Sequence, residues 1–149
     1  MTPETVKLVQ DSFQKVVPIA ETAADIFYDR LFEIAPHVRP LFPAEMKDQK
    51  MKLMQMLGTA VSNLHQVETI LPAVQELGRK HVGYGVVDEH YDTVGEALLY
   101  TLEKGLGDAW TPDVKAAWVE VYTTVATVMK EAAAEVQLPK KGFFGRMFG

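Results

Sequence analysis

Residues 20–42, AETAADIFYDRLFEIAPHVRPLF, contain a helical pattern together with its end. Apolar side chains recur three and four positions apart from Ala20 to Ile34, which is the period of one face of an α-helix. Pro36 disfavours α geometry in the residue before it, so we expect the helix to end there. Pro40 prevents a second long helix, and the pattern therefore predicts a short turn that leads to Phe42.

The same spacing recurs along most of the chain, and no stretch alternates apolar and polar residues over the length of a strand. The 149 residues, 48% of them hydrophobic, are therefore predicted to form one all-α domain. Pro72 is expected in the first turn of its helix. The predicted segments, about seven with the short turn, run from Thr2-Pro3 to Val17, over Ala20–Ile34, from within Glu45–Lys52 to near His65–Val67, over Thr69–His81, over His90–Leu106, and from Thr111-Pro112 to just before Pro139. Helices packed at an angle enclose a pocket that suits a ligand or cofactor.

The composition excludes several classes of function. A chain without cysteine has no disulfide, no thiolate nucleophile, no thiolate-bound zinc and no iron–sulfur cluster, which leaves four histidines and the carboxylates as metal ligands. Its net charge of -5 has the wrong sign for a protein that neutralises nucleic-acid phosphates. The N-terminus does not resemble a targeting signal, and no apolar run reaches the roughly 20 residues of a membrane span. We expect a soluble, cytoplasmic protein.

His81 is the most informative candidate for a metal ligand. It extends the apolar positions Val74 and Leu77 by one turn and is therefore predicted to face the interior. A neutral imidazole there can ligate iron through one ring nitrogen while its other N–H donates to a carbonyl one turn back, near Leu77. The spacing alone favours the alternative, a hydrogen-bonded core histidine. Tyr28, on an apolar face beside Phe27, can likewise be an ordinary buried tyrosine.

A set of short motifs occurs in a fixed order between Glu4 and Ala134. The motifs are Phe27-Tyr28-Asp29-Arg30-Leu31-Phe32, Pro36 with Leu41-Phe42, Gln49 with Leu53, Leu71-Pro72-Ala73-Val74 before Lys80-His81, Tyr91, Val94-Gly95-Glu96, and Ala116-Ala117-Trp118 with Tyr122. The ordered set resembles the family of bacterial single-domain haemoglobins and flavohaemoglobins. This resemblance implies the globin fold, with about seven to eight helices around a haem pocket.

The resemblance also implies which residues contact a haem b group and its ligand. His81 corresponds to the histidine that ligates the iron, and Phe42 to the phenylalanine that packs on the haem face. Tyr28 and Gln49 correspond to the pair of polar residues on the distal side. The other implied contacts are Leu53, which limits the space above the iron, Val94, Leu98 and Tyr91. Lys80 and Arg79 precede His81, where one of them could pair with a haem propionate; a solvated basic pair is the alternative.

The ligand that the resemblance implies is O2, with NO and CO as further gases. Dioxygen on a haem iron carries partial negative charge and accepts hydrogen bonds from a phenol and an amide, whereas CO gains little from them. Because residue 49 is glutamine and not histidine, the strong sixth ligand of six-coordinate globins is not expected.

The proximal side departs from the flavohaemoglobin pattern. Tyr91 corresponds to a tyrosine that, in flavohaemoglobins, connects the iron-binding histidine with a glutamate of the last helix. Counted from Trp118, the position of that glutamate falls on Ala133. Glu131 and Glu135, two residues to either side, point elsewhere on a helix unless the helix shifts. We therefore expect weaker electron donation through the histidine, which argues against peroxidase-like chemistry.

The resemblance leaves the physiological use open. Flavohaemoglobins continue into flavin- and nicotinamide-binding domains, whereas this chain has no Gly-x-Gly-x-x-Gly fingerprint and ends at Gly149. Reversible oxygen binding for storage or delivery is the first expectation, and nitric oxide dioxygenation with an external reductase is the second. His81 and Phe42 oppose a third, a haem-free interaction module. A sensor is disfavoured because no output domain follows.

Residues 139–149, PKKGFFGRMFG, differ in composition from the predicted globin domain, residues 1–138. Their three phenylalanines and three basic residues would suit an anionic membrane surface or a partner such as a reductase. Three glycines oppose a stable helix, and a flexible terminus is the simpler interpretation. The sequence gives no indication of the oligomeric state.

Overall fold

The computed structural model describes residues 1–83 and 85–138, and all regular secondary structure in these ranges is helical. The α-helices of these ranges are α1 (Pro3–Val16), α2 (Ala20–Ile34), α3 (Lys47–Ser62), α4 (Val67–Gly83), α5 (Asp88–Leu106) and α6 (Pro112–Leu138), with 3₁₀ turns at Val17–Ile19, Pro36–Leu41, Leu64–Gln66 and Gly107–Ala109. The predicted all-α class is confirmed: the described ranges contain six α-helices, and the predicted short turn before Phe42 is the 3₁₀ turn Pro36–Leu41. None of these helices is both long and apolar enough to cross a membrane. The predicted tail, residues 139–149, lies outside the described residues.

Two helices begin where a Thr-Pro pair predicts a start. The Thr2 hydroxyl accepts a hydrogen bond from the Thr5 N–H at 3.1 Å, and Pro3 is the first residue of α1. The Thr111 hydroxyl accepts from the Val114 N–H at 3.2 Å at the start of α6. Each cap satisfies a backbone donor that has no partner within its helix. The predicted starts of the first and last helices are therefore confirmed.

The fourth helix begins earlier than the sequence predicts. It starts at Val67 and not at Thr69, so Pro72 is its sixth residue and does not lie in its first turn. Proline lacks the N–H that would donate to the carbonyl one turn back. The helix nevertheless continues past Pro72, because it is packed along its length against α6. Tertiary packing thus overrides the local signal that proline gives.

The fifth helix also begins earlier, at Asp88 and not near His90. The His90 Nδ1 atom accepts a hydrogen bond from the Val87 N–H at 3.1 Å, so a histidine side chain caps the start of α5. At the other end, α5 stops at Leu106 as predicted. Gly107 follows with φ +54, a left-handed conformation that favours glycine and ends the helix.

The larger hydrophobic cluster joins α1, α2, α3, α5 and α6 around side chains such as Leu31, which is 1% exposed. Trp118 on α6 belongs to this cluster, and its indole N–H donates to the Ser12 hydroxyl on α1 at 2.9 Å. Ser12 in turn donates to the Leu8 carbonyl at 2.7 Å, so these buried polar atoms are satisfied. The contact fixes α6 against α1 in one register.

A second, smaller cluster contains Tyr91, Ala126 and Met129. It lies where α4, α5 and α6 meet. The helix α4 packs mainly on α6, whereas α3 packs on α2 and α1. The helices α3 and α4 are therefore held by different neighbours. We call α3, which carries Gln49, and α4, which carries His81, the two walls.

Candidate functional site

The structure brings Tyr28 of α2 and Gln49 of α3 into direct contact. The Gln49 side-chain amide donates a hydrogen bond to the Tyr28 hydroxyl oxygen at 3.2 Å. Tyr28 is only 3% exposed, and burial raises the pKa of its phenol despite the opposing effect of this hydrogen bond. The phenol is therefore neutral at ordinary pH. Because its oxygen accepts from Gln49, its own O–H can still donate to a third group.

Aromatic rings hold the Tyr28 side chain in place. Phe27 lies edge-on to it with ring centroids 4.9 Å apart, and Phe42 lies edge-on with centroids 5.6 Å apart. Phe32 is in contact with both Tyr28 and Phe42, at 5.9 and 5.5 Å. Such packing restricts the rotamer of the tyrosine and so fixes the direction of its hydroxyl.

Phe42 follows the 3₁₀ turn, which is the short turn that the sequence predicts. Arg39 holds the next residues, since its guanidinium donates to the carbonyl oxygens of Pro43 at 2.9 Å and Ala44 at 3.1 Å. The phenylalanine is half-buried and packs on the larger cluster. The role of Arg39 was not predicted from the sequence, because its partners are backbone atoms of a loop.

The predicted apolar contacts lie on two helices of the larger cluster. Leu53 is on α3, one turn after Gln49, and is half-buried. Val94 and Leu98 are on α5, one turn apart; Val94 is half-buried and Leu98 is 6% exposed. Half-buried apolar side chains at one edge of a core are suited to contact an apolar group that completes it.

His81 is half-buried near the end of α4. Its Nδ1 atom is 2.6 Å from the Leu77 carbonyl oxygen, which is the hydrogen bond that the helical spacing predicts. Burial lowers the pKa of the imidazole, and the hydrogen bond to Leu77 offsets part of this effect. A neutral ring that donates from Nδ1 carries its lone pair on Nε2, the form that a metal ligand requires.

Tyr91 of α5 lies on the same side as His81, with ring centroids 6.3 Å apart. It is 6% exposed, and burial, followed by the nearby Asp88 charge, raises the pKa of its phenol. Its hydroxyl has no hydrogen-bond partner among the described residues. The Tyr91 carbonyl, in contrast, accepts from the Tyr122 hydroxyl at 2.5 Å.

The candidate glutamates of the last helix do not reach Tyr91. Ala133 is 7% exposed, whereas Glu131 and Glu135 lie on the exposed side of α6, as the helical phase predicts. Glu135 forms an ion pair with Arg79 at 3.5 Å. Arg79 is therefore directed toward α6, while its neighbour Lys80 is exposed.

The other three histidines lie at the surface or at helix ends. His37 and His65 are exposed, and His90 caps α5. Their side chains do not assemble with carboxylates, since no group of three His, Asp or Glu within residues 1–83 and 85–135 is arranged to hold a metal ion. His81 therefore stands as a single candidate ligand, which suits a metal that brings its other ligands with it.

Comparison with known proteins agrees with this arrangement. The globin family model matches residues 25–129, a range that includes every candidate residue named above from Tyr28 to Leu98. The flavohemoprotein of Bacillus subtilis (strain 168) is 32% identical over 126 residues, which cover 83% of this chain and 32% of that protein. The chain thus spans about a third of the length of this flavohemoprotein.

A second relative has a length close to that of this chain. Neuroglobin of Danio rerio is 30% identical over 142 residues, which cover 86% of this chain and 89% of neuroglobin. Among solved structures, an engineered carbene transferase from Rhodothermus marinus, described as a candidate nitric oxide dioxygenase, superposes with a TM-score of 0.82 at 26% identity. The superposition covers 92% of this chain and 96% of the other.

Proposed function

Because the chain belongs to the globin family, we propose that it binds haem b between α3 and α4 and uses it to bind O2 reversibly. The observation that carries this proposal is the Gln49–Tyr28 hydrogen bond on one wall, with the oriented imidazole of His81 on the other. When bound, the haem supplies an iron atom that accepts a diatomic gas such as O2 or NO. Cytoplasmic location is part of the proposal.

His81 is the proposed iron ligand. The hydrogen bond from Nδ1 to the Leu77 carbonyl selects the tautomer and fixes the plane of the ring, and the lowered pKa keeps the ring neutral. Without a carboxylate partner for Tyr91 among the described residues, the imidazole receives no negative charge from that side. This arrangement favours ligand binding over chemistry that needs a strongly donating histidine.

Tyr28 and Gln49 are the proposed donors to the gas ligand. Tyr28 on α2 and Gln49 on α3 place two polar groups side by side, and the aromatic rings around Tyr28 hold its hydroxyl in position before a ligand arrives. Leu53, one turn after Gln49, restricts the space beside them and helps to exclude water. A ligand that develops negative charge is stabilised by these donors, whereas CO is stabilised little.

The two walls fit a large flat apolar group. Phe42, Leu53 and Val94 are half-buried at the edge of the larger cluster, and Leu77 is half-buried at the edge of the smaller one. A haem between the walls would bury these edges and join the two clusters into one core. Lys80, exposed beside His81, is the proposed partner of a propionate.

Nitric oxide dioxygenation with a separate reductase is a second candidate function. The flavohemoprotein relative and the Rhodothermus marinus neighbour favour it, and the same Tyr28 and Gln49 donors would serve it. Since this reaction consumes electrons, the discriminating measurement is steady NO consumption by the haem-loaded protein with a reductase and NADH, compared with the same mixture lacking the reductase.

The first test of the proposal is His81→Ala. We expect the variant to lose stable haem binding, because no other histidine of the described residues lies on the inner face of α4. The absorption spectrum after haem reconstitution measures the loss, with His65→Ala as the matched control at an exposed histidine. Equal haem retention in both variants would contradict the assignment of His81.

The second test is Tyr28→Phe in the haem-loaded protein. Loss of a hydrogen bond to a charged group, roughly 1.5–3 kcal/mol, is expected to raise the O2 dissociation rate constant by about tenfold to 100-fold. Stopped-flow displacement of O2 by CO measures this rate constant. The CO dissociation rate constant of the same variant is the internal control and is expected to change little. An O2 rate equal to that of the unmodified protein would mean that Tyr28 does not contact the ligand.

A further inference from the structure

The helix α3 has few buried side chains to hold it in place. Val61, in its last turn, is the one buried residue among the described residues of this helix. Gln49 and Leu53, in its first half, are only half-buried. A segment with little buried surface shifts or opens at a low cost in free energy, so the position of the first half of α3 depends on its other contacts.

Two polar contacts join the first half of α3 to α2. One is the Gln49–Tyr28 hydrogen bond of 3.2 Å, and the other is an ion pair in which the Lys50 Nζ atom is 2.9 Å from Oδ1 of Asp25. Gln49 and Lys50 are neighbours on α3, while Asp25 and Tyr28 are three positions apart and share a face of α2. The ion pair therefore lies next to the hydrogen bond, between the same two helices.

The cationic partner of Asp25 comes from α3 and not from its own helix. Arg30, the basic residue of α2, is paired with Glu33 and lies 3.8 Å from Glu96 of α5, so it is directed toward α5 instead. The Lys50 side chain is 31% exposed and that of Asp25 is 53% exposed, so solvent screens their attraction in part. Such a pair adds little to the stability of a whole domain. It has more influence on the position of a segment that has few buried contacts.

The hydrogen bond between Gln49 and Tyr28 is sensitive to the position of α3. Its length of 3.2 Å is at the long end of the range for an N–H···O bond, so a small outward shift of the helix weakens it. Tyr28 does not follow such a shift, because it is buried among the aromatic rings of Phe27 and Phe42. A contact that holds α3 against α2 therefore also holds the Gln49 amide beside the phenol.

We propose that Lys50 and Asp25 are positioning residues, whose ion pair holds the first half of α3 against α2 and keeps the Gln49 amide beside the Tyr28 hydroxyl. The inference rests on the proposed function, in which these two groups donate to O2 and stabilise CO little. The ion pair acts on the gas through Gln49, so its loss weakens O2 binding and leaves CO binding nearly unchanged. It thereby contributes to the selectivity for O2 over CO.

Lys50→Met in the haem-loaded protein is the first test, because methionine removes the charge but keeps an unbranched side chain. We expect the O2 dissociation rate constant, measured by stopped flow, to rise roughly two- to fivefold while that of CO stays unchanged. Lys52→Met, at an exposed lysine of the same helix, is the matched control and is expected to change neither. Asp25→Asn is expected to act like Lys50→Met, and the double variant no more strongly than either. An unchanged O2 rate constant in Lys50→Met overturns the proposal.

A second comparison separates positioning from a general effect of charge. In a Gln49→Leu background, where the amide is absent, Lys50→Met is expected to cause no further change in the O2 rate constant. An equal increase with and without the amide overturns a route through Gln49. The contact itself is measured in the CO form from the 1H–15N resonances of the Gln49 side-chain amide. They are expected to move toward those of a solvent-exposed glutamine in Lys50→Met and not in Lys52→Met, and unshifted resonances in Lys50→Met likewise overturn the proposal.

The ion-pair proposal and the proposed function fail separately. Absence of haem binding in the absorption spectrum, or an O2 rate constant that does not respond to Tyr28→Phe, contradicts the proposed function. A clear response to Tyr28→Phe without a response to Lys50→Met overturns only the positioning role of the ion pair.

Discussion

The hydroxyl of Tyr91 is a buried polar group without a hydrogen-bond partner among the described residues. Such groups cost free energy, because a donor leaves water without gaining another acceptor. The neighbouring Tyr122 hydroxyl is in the opposite situation, since it donates to the Tyr91 carbonyl at 2.5 Å. The phenol hydroxyl therefore has a hydrogen-bond partner in Tyr122 and none among the described residues in Tyr91.

Tyr91→Phe is expected to leave the free energy of unfolding unchanged or to raise it by up to about 1 kcal/mol, because the unsatisfied hydroxyl is removed. Tyr122→Phe, the matched control, is expected to lower it by about 1 kcal/mol, because a carbonyl loses its partner. Urea unfolding of the haem-loaded protein measures both. Similar losses in the two variants would mean that the Tyr91 hydroxyl has a partner in solution.

The sequence predicts single side chains best where a short-range rule applies. The bond between His81 and the Leu77 carbonyl follows from helical spacing alone, and the outward direction of Glu131 follows from helical phase. The contact between Tyr28 and Gln49 spans 21 residues, and only the family resemblance pointed to it. The Tyr91–Tyr122 hydrogen bond could not be predicted, because it joins a side chain to the backbone of another helix.

Two glycines inside helices show how an element depends on its neighbour. Gly58 of α3 lines an open groove between α1 and α3, where a Cβ atom would come no closer than 3.9 Å to Phe13. Gly78 of α4 lies against α6, where a Cβ atom would be 2.4 Å from the Met129 carbonyl oxygen and 2.7 Å from its Cα. The absence of a side chain at Gly78 is therefore what allows α4 and α6 to approach each other.

The same substitution at these two glycines is expected to have opposite effects. Gly58→Ala should raise the free energy of unfolding by about 0.5–1 kcal/mol, because alanine loses less backbone entropy in a helix. Gly78→Ala should lower it by about 1–3 kcal/mol, because the two backbones must separate. Thermal unfolding of both variants measures the difference. A stabilised Gly78→Ala variant would show that α4 and α6 lie farther apart in solution.

At the scale of helices, the period predicts where an element lies, and the start of a helix is predicted well only where a capping residue marks it. The Thr2 and Thr111 caps confirm two predicted starts, since a hydroxyl and a following proline act locally. The start of α4 was predicted two residues late because Pro72 suggested a first turn. The close approach at Gly78 involves a partner 51 residues away, which no local pattern contains.

The whole molecule has its hydrophobic core divided into a larger and a smaller cluster. The sequence predicted one all-α domain but not this division, because apolar periodicity shows which face of a helix is buried and not which neighbour covers it. The all-α class follows from the period, and the arrangement of the helices followed from the ordered motifs of the family. The division of the core reflects that α3 and α4 pack on different helices. In the proposed function, the haem occupies the space between them.

Removal of the haem is therefore expected to increase amide hydrogen exchange mainly in α4. Among the described residues of this helix only Gly78 is buried, so its remaining protection depends on α6 and on the bound group. The control is α2, whose Phe27 and Leu31 lie in the larger cluster and should keep slow exchange. Mass spectrometry after deuterium labelling of the haem-loaded and haem-free protein measures both helices. A uniform increase in exchange over all helices would contradict a divided core, because one cooperative unit exchanges as a whole. An increase concentrated in α4 would identify this helix as the wall that the haem holds in place.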